Sequence, residues 1–398
     1  MGKIDTRVAS DDDFEEMARF DGLAFGSPWD DKVLDAAKAT MEFDRFRLMH
    51  DGSTLVGVGG SYALETTVPG GARLATGGIT WIAVAPTHRR QGLLTRLMAD
   101  LHDDIDQRSE PLAMLTASEG GIYERFDYGI ASYLRVTEID RRRVQVRPEH
   151  RPRPGSVRMT TFDDPALPEL FDRYRRQRVG EVNRPPAFDE LSRVEAGAGV
   201  AVAIHADGYA AWKVAAKWNE GHPAHEMRIL DLVAITPEAH AALWHTVLSV
   251  DLVGPIGSFR AVALDDALPY IVDDQRAIRT TNVNDMLWVN MRDIGAALAA
   301  RTYGTDDQLV VEITLSDRGE ARTERWRIDG DPAGGTAEQV RSRPQLTMDR
   351  ATLGAIYLGG VRPSTLARAG RIAGKPDAIR RADAFFSADR LPHCSTGF

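Results

Sequence analysis

Two arginines and a glycine close a short loop whose chemistry suits a phosphate ligand. Trp81–Val84 is a short apolar run, Pro86 marks a turn, and Arg89-Arg90-Gln91-Gly92 leads into a helix with apolar residues at helical spacing. Backbone N–H groups at a helix N-terminus are unpaired and partly positive, so a pyrophosphate can accept several hydrogen bonds there. Because Gly92 has no Cβ, the backbone can approach such a ligand closely. This strand, loop and helix are therefore predicted to hold a pyrophosphate.

Three phosphate-binding patterns and one structural alternative compete for this loop. A P-loop requires Gly-x-x-x-x-Gly-Lys-Ser/Thr, and the sequence contains no such string. A Rossmann fingerprint requires three spaced glycines, of which only Gly92 is present. Arg89-x-x-Gly92-x-Leu94 resembles the coenzyme A loop of the GNAT acetyltransferase superfamily, Arg/Gln-x-x-Gly-x-Gly/Ala, and departs from it at Leu94. The structural alternative is a basic helix start on an ordinary α/β domain.

A tyrosine that follows the next predicted strand could act as an acid. Met114–Ser118 is predicted to be that strand, and Tyr123–Tyr128 resembles the Tyr-x-x-x-Gly-Phe pattern of a short GNAT helix, with Asp for Gly and Tyr for Phe. When acetyl leaves coenzyme A a thiolate forms, and a phenol O–H within reach can protonate it. The alternative is a core tyrosine whose hydroxyl lies at the edge of the core.

Longer strings make the resemblance more specific. Val84–Arg90, Ala117–Tyr123 and the end of the chain, Cys394–Phe398, are similar to the Eis (enhanced intracellular survival) family of GNAT acetyltransferases. The resemblance implies an acetyl-CoA-dependent N-acetyltransferase that moves acetyl directly to amines of cationic acceptors, such as aminoglycosides or lysine and peptide amines. It also implies a homo-hexamer.

The resemblance implies a role for each group at the expected site. Tyr123 is expected to be the general acid, and the C-terminal carboxylate of Phe398 the general base. An α-carboxyl has a pKa of about 3.5, which makes it a weak base at pH 7. Chain termini also usually fray, so the residues alone favour a frayed end. The residues expected to bind acetyl-CoA are Ile82, Ala83, Val84, Arg89, Arg90, Gln91, Gly92, Leu93, Leu94, Thr95, Ser118 and Glu119. The aromatic residues expected in the acceptor pocket, with core positions as the alternative, are Phe25, Trp29 and Trp81.

Composition argues against several other functions. The net charge of −9 disfavours nucleic acid as a partner, since nucleic acid requires a basic face. No apolar run approaches the ~18 residues that span a bilayer, and no apolar signal core begins the sequence, so no membrane partner is expected. The single cysteine, Cys394, fits a reducing cytoplasm. No Gly-x-Ser-x-Gly elbow and no His-Glu-x-x-His string occurs, so neither a serine hydrolase nor a metal site is expected.

An internal repeat indicates a second copy of the same fold. Leu232–Trp244 aligns with Trp81–Leu93, with proline at the same place in both strings. A bulky Leu243 stands in place of Gly92, and both guanidinium groups are missing. The second copy is therefore predicted to fold like the first and to bind no coenzyme A.

The predicted architecture is α/β (α+β): tandem GNAT folds, the second degenerate, followed by a domain that resembles the sterol-carrier-protein fold. The expected ranges are 1–147, 156–284 and 285–398. In the third range, Asp285–Val289 leads into a predicted helix around Asp293–Leu298. A predicted hairpin joined through Asp317-Arg318-Gly319 follows, and Asp349 can cap a later helix. An alternative function is a non-catalytic lipid- or partner-binding protein built on a relic acetyltransferase. The retained arginines, glycine and tyrosine of the first copy argue against that alternative.

Overall fold

A computed structural model describes residues 4–317 and 320–398, which fold into two compact units. The first unit comprises the chain up to Ser132, Asp285–Pro392 and Gly397–Phe398. The second unit comprises Tyr133–Asn284 and His393–Thr396. The end of the chain therefore contributes four residues to the second unit and its last two residues to the first.

Helices and strands are numbered here in chain order over the described residues. The strands are β1 (Ile4–Val8), β2 (Phe46–Asp51), β3 (Thr54–Thr67), β4 (Arg73–Val84), β5 (Leu112–Leu115), β6 (Gly129–Ile130), β7 (Tyr133–Asp140), β8 (Val157–Thr160), β9 (Val200–His205), β10 (Gly208–Ala215), β11 (Trp218–Asn219), β12 (His222–Pro223), β13 (His225–Ala234), β14 (Val253–Ser258), β15 (Ile278–Asp285), β16 (Trp288–Met291), β17 (Asp307–Asp317), β18 (Glu320–Asp331), β19 (Gly334–Gln339), β20 (Leu346–Asp349) and β21 (Ala373–Gly374). The helices are α1 (Phe14–Phe25), α2 (Asp31–Ala39), α3 (Leu93–Gln107), α4 (Ala166–Arg175), α5 (Pro186–Ala196), α6 (Pro237–Leu248), α7 (Leu268–Ile271), α8 (Ile294–Ala300), α9 (Arg350–Tyr357), α10 (Pro363–Arg368) and α11 (Pro376–Phe385). None of these described helices is both long and apolar enough to cross a lipid bilayer.

The first unit contains a seven-stranded sheet in the order β1-β2-β3-β4-β5-β16-β6. β5 is buried along its whole length, as expected for an apolar strand inside a sheet. β4 and β5 run parallel but pair only from Thr76–Leu112 to Gly78–Met114. Beyond Gly78 no further β4–β5 pair is registered among the described residues, so the sheet opens there. The apolar face of α3 packs on this sheet through Leu97, Met98 and Leu101.

The second unit repeats this arrangement with a sheet in the order β15-β7-β14-β13-β10-β9-β8. β13 and β14 form its parallel pair, which runs from His225–Val253 to Ile229–Ser258. The helix between them, α6, buries Trp244 completely against the core. The strand–helix–strand order that the internal repeat predicts is therefore present.

A five-stranded sheet in the order β19-β18-β17-β20-β21 belongs to the first unit. β17 and β18 form the predicted hairpin, and the prediction that Arg318 and Gly319 join them falls outside the described residues. The predicted cap is confirmed, because the Asp349 carboxylate accepts a hydrogen bond of 2.7 Å from the Thr352 amide at the start of α9. Nearly all of α9 is buried, so this capped helix forms part of the core.

Two strands pair across the boundaries of the expected ranges 1–147, 156–284 and 285–398. β7, inside the first range, pairs with β14 through Thr137 and Ser258. β16, inside the third range, lies between β5 and β6 in the first sheet. Local patterns in the sequence identify a strand, but its partner is selected by contacts with residues far away in the chain.

Candidate active site

The loop at Arg89–Gly92 connects the end of β4 to the N-terminus of α3. A 3₁₀ turn at Pro86–His88 follows the strand, and α3 begins at Leu93 without a side-chain cap. Gly92 has a φ of 83°, a left-handed conformation that favours glycine. A Cβ added to Gly92 would meet no atom within 4 Å, so the space beside the helix N-terminus is open. Both arginines of the loop are exposed. Uncapped amides, open space and two guanidinium groups fit a pyrophosphate.

The edge of β4 that follows the opening in the sheet offers backbone groups to a ligand. The register with β3 shifts between Val58 and Gly60, and Trp81 at this bulge has a φ of 56°, which is rare for a large side chain. Since β5 pairs with β4 no further than Gly78, the β5-facing edge of Ile82–Val84 has no strand partner in the described part of the chain. Such an edge can pair with an extended ligand, as the pantetheine arm of coenzyme A would require.

An irregular segment, rather than the expected short helix, follows β5. Ser118 and Glu119 are exposed just beyond the strand, and a single 3₁₀ turn at Glu124–Phe126 follows Tyr123. Asp127, with a φ of 64°, ends that turn. The adjacent pair Gly120-Gly121 explains the difference, because glycine disfavours helix formation.

The ring of Tyr123 lies in the core of the first unit. Its side chain is 9% exposed, and its ring centroid lies 6.2 Å from that of Tyr128 and 6.5 Å from that of Trp288. Burial, aided by the negative charge of Glu119, raises the pKa of Tyr123 above its ordinary value. Within the described residues its hydroxyl has no hydrogen-bond partner. A protonated phenol of this kind can both pack in the core and donate a proton.

Two of the three aromatic residues expected in an acceptor pocket lie together. The rings of Trp29 and Trp81 stack with centroids 5.2 Å apart and an interplanar angle of 14°. The indole N–H of Trp81 donates to the Tyr62 hydroxyl over 3.1 Å, which fixes the plane of the stack. Phe25 is half-exposed at the end of α1 and has no ring contact with this pair among the described residues. The structure therefore brings Trp29 and Trp81 together and leaves Phe25 apart.

A carboxylate that the sequence analysis missed lies beside this stack. The indole N–H of Trp29 donates to Asp21 Oδ2 over 3.0 Å, and the Asp21 side chain is 9% exposed. Burial raises the pKa of Asp21, and the hydrogen bond from Trp29 partly offsets that effect. Asp21 follows Met17 by four residues on the buried face of α1, where helical periodicity calls for an apolar side chain. This interruption of the apolar pattern is the feature of the sequence from which Asp21 could have been identified. A buried carboxylate beside aromatic faces suits a cationic amine.

The last residue of the chain lies where β4 and β5 part. Thr116, the residue after β5, donates a hydrogen bond of 3.1 Å from its hydroxyl to the main-chain oxygen of Phe398. A Cβ on Gly78 would lie 3.1 Å from Phe398 Cδ2, so the missing side chain leaves room for the ring. The end of the chain is thus ordered against the opening between the two strands, whereas the residues alone favoured a frayed terminus.

Comparisons with known proteins identify the family. Residues 5–131 and 158–292 each match an acetyltransferase (GNAT) domain family, and residues 294–395 match a sterol carrier protein domain family. The chain is 36% identical over 356 residues to N-acetyltransferase Eis of Mycobacterium tuberculosis, covering 85% of this chain and 84% of that relative. The chain belongs to the Eis family of GNAT N-acetyltransferases.

Two further comparisons extend over nearly the full length of the chain. The chain is 35% identical to an uncharacterized N-acetyltransferase of Streptomyces avermitilis, with 99% of each chain covered. The crystal structure of Eis1 from Mycobacterium abscessus superimposes with a TM-score of 0.86 at 32% identity, covering 100% of both chains. The predicted order of two GNAT folds and a sterol-carrier-protein-like domain is confirmed, and so is the predicted enzyme class. GNAT acetyltransferases use acetyl-CoA as the acetyl donor.

The second GNAT fold of this Eis-family chain begins its loop helix differently. α6 starts at Pro237, and only Ile235 and Thr236 separate it from β13, so no basic loop intervenes. The Thr236 hydroxyl accepts a hydrogen bond of 3.2 Å from the Ala239 amide, so the helix N-terminus is capped by the protein itself. Leu243 is completely buried in the core. The absence of coenzyme A from this copy stays a prediction, and the capped helix start is its physical basis.

The single cysteine of this Eis-family chain lies away from solvent. Cys394 is 1% exposed, and burial, with the nearby charge of Glu181, raises the pKa of its thiol well above the ordinary range. A thiol reacts as the thiolate, so these surroundings make Cys394 inert as a nucleophile.

Proposed function

We propose that this Eis-family chain transfers acetyl from acetyl-CoA directly to an amine of a cationic acceptor, such as an aminoglycoside or a lysine or peptide amine. A nitrogen–carbon bond forms as the carbon–sulfur bond breaks, so the amine loses a proton and the thiolate gains one. The carboxylate of Phe398 receives the proton that the amine loses, and Tyr123 supplies the proton that the thiolate gains. The observation that carries this proposal is the contact of Phe398 with Thr116 at the opening between β4 and β5.

The base is needed because an amine acceptor is largely protonated near neutral pH. A carboxylate is a weak base in water, so its position relative to the amine has to compensate. The contact of the half-buried Phe398 with Thr116 supports such a position at the opening between β4 and β5.

The acid is needed because the leaving thiolate must be protonated before it departs. Tyr123 suits this step because burial keeps its pKa raised and its hydroxyl has no partner among the described residues. The ring contacts with Tyr128 and Trp288 hold the phenol in a fixed orientation.

The donor site is built mostly from backbone. Arg89–Thr95 would hold the pyrophosphate and Ile82–Val84 the pantetheine arm, with Ser118 and Glu119 exposed beyond β5 toward the thioester end. The open space at Gly92 supports this assignment, since a ligand phosphate can come close to the α3 amides.

The acceptor site is assigned to Asp21 with the stacked Trp29 and Trp81. A buried carboxylate attracts an ammonium group, and the indole faces add a cation–π contribution. The net charge of −9 also favours approach of a cation.

The test is thiol release from acetyl-CoA with a panel of aminoglycosides, polyamines and lysine peptides. Turnover should appear with the amines and be absent with matched diols, whose hydroxyls are poor nucleophiles near neutral pH. Turnover with none of the amines, together with tight binding to lipid vesicles, would favour the non-catalytic lipid-binding alternative.

The proposal includes the assembly and location that the family resemblance implies, a homo-hexamer in the cytoplasm. Light scattering on the purified protein would give six times 43.8 kDa for a hexamer. A mass of one or two chains would remove the hexamer from the proposal.

A further inference from the structure

The second GNAT fold contains a buried carboxylate whose hydrogen bonds go to the tail of the chain. Glu181 is completely buried. Its Oε2 accepts from the amide and the hydroxyl of Ser395, each over 2.8 Å. Its Oε1 accepts from the hydroxyl of Thr396 over 2.9 Å and from the Thr396 amide over 3.3 Å. Both carboxylate oxygens are therefore engaged by two consecutive tail residues.

An arginine binds the same two residues from another side. Arg184 donates to the hydroxyls of Thr396 and Ser395, each over 2.9 Å. Its third nitrogen pairs with Asp231, and its guanidinium carbon lies 3.7 Å from the centroid of the Phe171 ring. Since the guanidinium is held by a carboxylate and a ring face, it presents its remaining donors to the tail in a fixed direction.

Losing the hydrogen bonds between the tail and the charged pair Glu181 and Arg184 would destabilise the fold, because these charges lie away from solvent. A buried charge that loses its hydrogen bonds is strongly disfavoured, so Glu181 and Arg184 stabilise the state in which the tail is bound. The tail residues fit this requirement, because Ser395 and Thr396 offer two amides and two hydroxyls within one dipeptide. The four residues His393–Thr396 accordingly belong to the second unit.

The tail occupies the place in the second fold that corresponds to the acceptor pocket of the first. In the first unit, the segment between α1 and α2 carries Trp29, which stacks on Trp81 of β4. In the second unit, the segment between α4 and α5 carries Glu181 and Arg184, and Arg184 pairs with Asp231 of β13. The repeat has thus exchanged aromatic residues for a charged pair at the same topological position.

We propose that the second GNAT fold positions the catalytic carboxylate. Glu181 and Arg184 hold Ser395 and Thr396, and this restricts the position of Phe398 two residues later. This inference rests on the proposed function, since it requires the Phe398 carboxylate to be the base. Glu181 and Arg184 are positioning residues, because they act on the reaction only through the tail. The second copy has therefore lost its coenzyme loop and gained a site for the chain's own C-terminal peptide.

The test removes the tail hydroxyls and leaves Glu181 and Arg184 in place, because removing one charge of this buried cluster would leave the other uncompensated and destabilise the fold. The double variant Ser395→Ala/Thr396→Val loses both hydroxyls that these charges bind. The turnover number should fall roughly 10- to 100-fold, the range typical of a misplaced catalytic group, while the Kd for acetyl-CoA stays unchanged. Thr396→Ser keeps the hydroxyl and should recover most of the loss that Thr396→Val causes alone.

Two further measurements separate positioning from general damage. Carboxypeptidase should release Phe398 at least tenfold faster from the double variant, because a released tail reaches the protease. In a chain extended by two alanines after Phe398, the same double substitution should cause no further loss of turnover.

The outcomes are distinguishable. Unchanged Phe398 release and unchanged turnover in the double variant, beside an inactive extended chain, would overturn the positioning role alone. Full turnover in the extended chain would overturn the proposed base, and the positioning role would fall with it.

Discussion

The Thr116 hydroxyl donates to the main-chain oxygen of Phe398 over 3.1 Å, joining residues 282 positions apart in the sequence. Thr116 directly follows β5, at the point where that strand has parted from β4. This contact places the end of the chain at the opening between β4 and β5, beside the proposed donor site. The function proposed here depends on that position.

Substitution of Thr116 tests the contribution of its hydrogen bond to Phe398. Thr116→Val keeps the shape of the side chain and removes the donor, and one such hydrogen bond contributes about 1 kcal/mol. Turnover should therefore fall about fivefold, with the Kd for acetyl-CoA unchanged. Steady-state kinetics and calorimetry measure the two quantities, and Thr116→Ser, which keeps the hydroxyl, is the matched control. Equal turnover in the Val and Ser variants would show that the contact has no role in the reaction.

Substitutions in the loop at Arg89–Gly92 should abolish acetyl-CoA binding and leave the fold intact. Arg90→Ala with Gly92→Glu removes one positive charge and places a negative one beside the uncapped start of α3. Acetyl-CoA binding by calorimetry should be abolished while the far-UV circular dichroism spectrum is retained, because the loop is exposed. Arg19→Ala removes a charge from the exposed face of α1 and serves as the control. Unchanged coenzyme affinity in the loop variant would refute the assignment.

Tyr123→Phe isolates the acid, since only the hydroxyl is lost. Turnover should fall roughly 10²–10⁴-fold, the usual contribution of general acid catalysis, with little change in KM for acetyl-CoA. Tyr128→Phe is the control: its hydroxyl bonds His102 over 2.9 Å in the same core, so that variant should lose stability rather than turnover. Because the pKa of Tyr123 is raised, the loss of wild-type turnover that its ionisation causes should begin at a higher pH than for an ordinary tyrosine. Normal turnover in Tyr123→Phe would leave the residue as a core tyrosine only.

Asp21→Asn should change acceptor binding and stability in opposite directions. Loss of the carboxylate should raise KM for a cationic acceptor about tenfold, and acceptor KM in the wild type should rise as pH falls through the raised pKa of Asp21. Because the pKa of Asp21 is higher in the folded state than in the unfolded state, its ionised form destabilises the fold at pH 7. The Asn variant cannot ionise, so it should have a higher Tm at pH 7. Asp30→Asn, which removes a charge but preserves the α2 cap, is the control for both readouts. An unchanged acceptor KM would exclude Asp21 from the pocket.

The sequence reveals the parts of this site that are local and hides those that are not. The local structure around Arg89–Thr95 could be predicted because a strand, a turn and a helix start are all encoded within one short segment. Asp21 was missed, although its break in the apolar pattern of α1 was visible, because one polar residue on a helix does not reveal its partner. The contacts of Thr116 with Phe398 and of Glu181 with the tail join residues more than 200 positions apart. Such pairs are selected by the folded topology and leave no spacing signal.

The measurement that tests the central claim most directly is turnover of a chain extended by two alanines after Phe398. The extension keeps the phenylalanine ring and the tail contacts but moves the carboxylate away from Thr116. We expect acetylation to fall by roughly 10²-fold or more, the usual contribution of a general base, while acetyl-CoA binds with unchanged affinity. An extended chain that acetylates its acceptor at the wild-type rate would contradict the account, because the base would then lie elsewhere.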